Sequence, residues 1–133
     1  MKFDIEIHPI MVHFPIAFYF LELLLIVLWI KSEHPHYLDF ARFVFKLGFF
    51  FMFLAAAAGL FDVGGFSHIK GRVRTHFLAA LSVIVLYTIR ALFWRFGKPN
   101  NSTYRWTHLL FAGAGNILIA VAGYFGGLLV YGT

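Results

Sequence analysis

The sequence predicts an all-α membrane protein, a four-transmembrane-helix bundle with both termini on the same side. Three observations carry that expectation. Hydrophobic residues make up 61% of the chain and aromatic ones 20%, against 13% charged, a balance suited to meeting lipid as well as a core. A helix crosses a bilayer in roughly 20 apolar residues, and four such stretches are present, at about 9–30, 39–61, 75–95 and 106–131. Little of the 133 residues is left for a soluble domain, so residues 1–133 are expected to form a single transmembrane domain.

The first span opens on HPIMVHFPIAF, residues 8–18. Pro9 suits a first helical turn, where its missing N–H is not needed. Pro15 falls inside the helix and predicts a bend or a widened turn. This run is too long for a signal-peptide core and lacks a small-residue cleavage site, so it is expected to remain as a span in a chain beginning near Met1. The second span ends in AAAAG, 55–59, and the fourth carries AGAGNILIAVAGYFGG, 112–127, with Gly123 and Gly127 as a GxxxG pair. Small residues let helix backbones approach closely in lipid, so these two spans are expected to carry tight contacts. Phe, with 18 copies, suits lipid exposure and core filling, or packing around a planar ligand.

Four spans put both termini on one side, called side A, together with the loop from Asp62 to Arg74. Side A then carries Lys2, Lys70, Arg72 and Arg74; side B carries Lys31, Arg42, Lys46, Arg90, Arg95, Lys98 and Arg105. The positive-inside rule makes side B cytoplasmic and side A external. Because the basic residues gather at span ends, the net charge of +5 reads as membrane flanking, and nucleic-acid binding is not expected. With no cysteine, disulfides, thiolate metal sites and iron–sulfur ligation are excluded, and any cofactor must be held by His or oxygen ligands.

Seven histidines are many for so apolar a chain. His13 and His76 each sit about one turn inside parallel helices, at similar depth below side A. Two neutral imidazoles facing one another across an apolar slot are what bis-histidine ligation of haem b requires, with His8 as the alternative first ligand. Arg72 and Arg74 at the mouth are candidates to pair with propionates. The plainer reading stands beside it: histidines at helix ends often serve as interfacial side chains or bond local carbonyls. His36 and His108, opening the second and fourth spans, are a weaker echo on side B and the candidate ligands of a second haem.

Glu22, near mid-membrane, is the most costly residue in the sequence. Counting inward from side B brings Glu22, Tyr87 and Asn116 to one depth, a candidate hydrogen-bonded layer. Its readings are a proton-accepting group near a quinone, or a register-fixing Glu satisfied by Asn116. Asp62, at a helix C-terminus, opposes the macrodipole and is expected to pair with Arg72 or Arg74.

These residues together resemble a bacterial family of four-helix membrane proteins of the domain-of-unknown-function type. Its members open with HPxxVHFPIAL, continue with AAxxGLxD, begin the third helix with a basic residue and His-Ala, and close on GYxGGxLVYxxG. Here the matches are HPIMVHFPIAF at 8–18, AAAAGLFDV at 55–63, RVRTHFLAA at 72–80 and GYFGGLLVYG at 123–132. The resemblance implies association with Rieske and cytochrome redox proteins, and points to His8, His13, Asp62, His76, Gly126 and Gly127 as the site. Some relatives carry a His or an acid where this chain has Leu128, and many have Ala and then Asn where it has Phe77 and no Asn. The expected protein is therefore a haem b-binding electron-transfer subunit of a larger respiratory or photosynthetic complex in the bacterial inner membrane. The competing expectations are a cofactor-free assembly subunit docking through spans two and four, and a proton conduit using Glu22.

Overall fold

The computed structural model describes residues 7–98 and 101–132; Lys2 lies outside them. Four helical stretches are long and apolar enough to cross a membrane. The first is broken into α1 (Ile7–Met11) and α2 (His13–Ser32); the others are α3 (Pro35–Val63), α4 (Gly71–Phe96) and α5 (Ser102–Tyr131).

The break follows from Pro15. A prolyl ring has no N–H for the carbonyl four residues back and clashes with it, and that carbonyl belongs to Met11, where α1 stops. Val12 keeps near-helical dihedrals, φ −67° and ψ −21°, so the chain staggers there without unwinding.

The other helices begin about four residues earlier than hydropathy alone indicates, because capping chemistry and not apolar content sets the ends. Pro35 occupies the first turn of α3, preceded by the extended His34. Asn101 accepts a hydrogen bond from the Thr103 N–H at 2.9 Å and caps α5. At the end of α3, Gly64 has φ +84°; its N–H reaches Phe61 O and that of Gly65 reaches Leu60 O, which together terminate the helix. That left-handed turn is what the Gly64-Gly65 pair is for.

Successive spans alternate in direction, so both ends of the described chain lie at one end of the bundle, side A, beside the α3–α4 connection. Around the bundle the order is α3, α2, α5, α4. Helix α2 packs closely on α3 and on α5, and α4 packs on α5, whereas α3 and α4 barely touch. The interior holds Tyr19, Ile26, Ala41, Tyr87 and Ala112, all fully enclosed. Outward-facing positions such as Phe43, Phe50, Leu110 and Ile117 are exposed and apolar, the arrangement expected of a surface that faces lipid.

Candidate functional site

The buried face of α2 runs through Pro15, Tyr19, Glu22, Ile26 and Trp29, in steps of three and four. Continued backwards, the same steps pass through Val12 to His8 and miss His13. The buried face of α4, through Val83, Tyr87, Arg90 and Trp94, continues back through Ala80 to His76. The structure accordingly brings His8, not His13, to His76. His13 lies exposed, its Nδ1 bonded to the Pro9 carbonyl at 2.6 Å.

Each imidazole of the facing pair is tied to a neighbouring helix. His8 Nδ1 lies 2.7 Å from the Ala55 carbonyl of α3, and His76 Nδ1 lies 3.0 Å from the Ala122 carbonyl of α5. A carbonyl oxygen only accepts, so both Nδ1 atoms carry protons, and in neutral rings both Nε2 atoms carry lone pairs. The two Nε2 atoms are 3.4 Å apart. The ring centroids are 5.6 Å apart at an interplanar angle of 70°, longer than the Nε2 separation by about two ring radii, so the rings point tip to tip. Two lone pairs aimed at one another repel unless an electrophile lies between them. Beneath the rings a cavity of about 380 Å³ is walled by apolar side chains, among them Val12, Ile16, Met52, Val83, Ile84 and Ile119.

Glycines make room for the rings. A Cβ on Gly59 would sit 3.0 Å from His8 Nδ1, and one on Gly126 would sit 3.0 Å from His76 Cε1. In both cases the carbonyl bonded by the histidine lies four residues before the glycine. Gly127 lines the cavity, but a Cβ there or on Gly123 would meet open space, so the GxxxG pair makes no close contact with another helix of the chain among the described residues. The small residues receive aromatic rings where close helix contacts were expected.

The correspondence extends along the bundle. His8 and His76 are separated by 68 residues, as are Tyr19 and Tyr87, whose rings stack at 3.6 Å, and Glu22 and Arg90, which form an ion pair. Gly48 lies under Tyr19 as Gly115 lies under Tyr87. Equivalent residues on two parallel helices meet at each level, which is what a twofold axis along the bundle produces. The halves α1–α3 and α4–α5 therefore form a parallel pseudo-repeat, with the histidine pair astride its axis. Its signal in the sequence is His-x10-Tyr-x2-Glu against His-x10-Tyr-x2-Arg.

Arg90, counted above among the side B flanks, is instead wholly buried and donates from both terminal nitrogens to Glu22, Nη1 to Oε2 at 2.9 Å. Its guanidinium also lies over the Phe45 and Tyr87 rings. Glu22 is thus satisfied by a cation, not by Asn116 or Tyr87. Asn116 bridges α5 to α2 by donating to the Tyr19 carbonyl at 3.3 Å and to Ala112 O at 2.8 Å, and Tyr87 Oη finds no partner among the described residues. With Arg90 inside, six side B cations remain against four.

Asp62 accepts from the His8 backbone N–H at 2.8 Å, so its carboxylate caps the start of α1, where a negative charge is favourable. It forms no ion pair with Arg72 or Arg74, which are exposed on the first turn of α4 and do not line the cavity. On side B, His36 is exposed while His108 is enclosed by Phe93, Trp94 and Tyr104 with both ring nitrogens unpartnered among the described residues, so the two do not face each other.

Fold and site define a four-span helical membrane protein with a pair of convergent histidines at one end of an internally repeated bundle. No curated protein and no solved structure is detectably similar to the chain. The family model DUF2231, described as a predicted membrane protein, matches residues 4–133, and the chain belongs to that family.

Proposed function

We propose that the protein is a haem b-binding electron-transfer subunit of a larger membrane redox assembly, with His8 and His76 as the axial ligands. One observation carries this reading: two Nδ1-tethered imidazoles present their Nε2 lone pairs to each other, tip to tip. Donation of the second ring nitrogen to a backbone carbonyl is the habit of metal-bound histidines, because it fixes the tautomer and aims the free nitrogen.

The donor set favours a metal that brings its own equatorial ligands. A bare divalent ion wants three or four protein donors, and among the described residues no cluster of three His, Asp or Glu occurs. A tetrapyrrole needs only two axial nitrogens. Two metal–nitrogen bonds of about 2 Å each would span more than the 3.4 Å now between the Nε2 atoms, so His8 and His76 would move apart to hold a metal between them. Below them, the apolar cavity of about 380 Å³ falls within the usual range for small-ligand sites. A haem bound there supplies a reversible one-electron couple. The chain's own part is to orient both imidazoles through the Ala55 and Ala122 carbonyls and to line the slot with apolar side chains. Side A, with fewer cations, is the external side in this reading, which puts electron exchange at the external face of the inner membrane.

The test is a reduced-minus-oxidised spectrum of protein purified from haem-replete cells. A b-type α-band lost in His8→Ala and in His76→Ala, but kept in His13→Ala, is the expected result. A colourless, folded preparation overturns the proposal and leaves a cofactor-free assembly subunit as the better reading.

A further inference from the structure

The pseudo-repeat makes one seam of the bundle conspicuous. The α2–α5 and α3–α4 seams are equivalent, yet only the first is closed. Where α5 presents Ala112, Gly113 and Ala120, the equivalent positions of α3 hold Phe45, Lys46 and Phe53. Ala112 is fully enclosed, whereas Lys46 and Phe53 stand exposed along the open seam. The seam holds a groove of about 750 Å³, floored by Phe49, Phe53 and Trp94 and bordered toward side B by Arg42, Lys46 and Arg95.

These three cations are specific to this seam, since their counterparts across the axis are Leu109, Gly113 and Val27. No described carboxylate forms an ion pair with any of them, and the neighbouring acid on α3, Asp39, is exposed and bridged to none. Arg42 Nε and Trp94 Nε1 are buried donors without an acceptor among the described residues. From Arg42 to Leu54 the groove runs about 18 Å along α3, close to one leaflet's share of a hydrocarbon core roughly 30 Å thick.

We infer that the α3–α4 groove is a binding site for an anionic phospholipid of the side B leaflet, its phosphate among Arg42, Lys46 and Arg95 and an acyl chain along the phenylalanines. Positive charge without internal compensation, at the side B end of an apolar channel of acyl length, complements an anionic amphiphile. Electrostatics of roughly 1 kcal/mol per cation correspond to about a fivefold preference for each one engaged.

The full chain, reconstituted in nanodiscs of mixed phosphatidylglycerol and phosphatidylcholine and then re-extracted in mild detergent, is read by native mass spectrometry for retained lipid. Phosphatidylglycerol is expected to be retained over phosphatidylcholine by about fivefold for each cation engaged. Lys46→Gln and Arg95→Gln, both at exposed positions, should each cut that ratio about fivefold, while Lys31→Gln, outside the groove, leaves it unchanged. Equal retention of the two lipids, or an undiminished ratio in the Lys46→Gln/Arg95→Gln protein with unchanged circular dichroism, overturns the inference. Displacement of the lipid by soluble glycerol 3-phosphate, or a retained quinone in its place, overturns it too.

Discussion

Glu22 and Arg90 meet inside the bundle with both side chains fully enclosed, at the level where the two halves of the pseudo-repeat face one another. Taking one partner from a buried pair leaves the other charge unpaired and costs about 3–5 kcal/mol, whereas replacing both with apolar residues of similar volume is often neutral. Glu22→Ala and Arg90→Ala should each lower thermal stability in detergent by that order, and Glu22→Leu/Arg90→Met should recover most of it. A double variant no more stable than either single one would deny the coupling.

Gly59 and Gly126 each face an imidazole that an added methyl would strike. Overpacking of this kind costs about 1–3 kcal/mol. Gly59→Ala and Gly126→Ala should therefore lower the unfolding temperature and shift the spectrum of any bound haem. Gly123→Ala, which meets open space, should do neither.

Tyr87 stacks on Tyr19 and lies against Gly115, but its hydroxyl has no partner among the described residues. An unmade buried hydrogen bond costs about 1–3 kcal/mol, so Tyr87→Phe should be neutral or stabilising in thermal melts. Gly115→Ala should destabilise, because the new Cβ collides with the phenol.

Pro15 breaks the first span and leaves α1 free to lean on α3, where Asp62 and the Ala55 carbonyl hold His8. Pro15→Ala restores the missing N–H and favours one continuous helix. The expected outcome is faster modification of His8 by diethylpyrocarbonate, read by peptide mass mapping. An unchanged rate would show that the α3 contacts alone fix His8.

Much of this architecture was legible in the residues. Four spans follow from hydropathy, and the disturbance at Pro15 from the absence of one N–H. Counting depth from helix starts chose His13, because such counting ignores which way a side chain points; the step of three and four back from Glu22 chooses His8. Arg90 reads as a flank because it lies only a turn and a half from the end of its helix, and nothing local distinguishes a cation that turns inward. Its partner is 68 residues away, and only alignment of the two halves brings them together. The glycine cradles were visible as small residues, but their purpose depends on ring positions that one helix does not encode.

The separation of Glu22 from Arg90 also bears on how the protein is made. At about 5–20 residues per second, the ribosome completes Glu22 roughly 3 to 14 seconds before it reaches Arg90. During that interval the acidic residue of the first span lacks its countercharge. The third span then arrives as a key for a lock already in place, and the order of synthesis becomes part of how the two hairpins find their register.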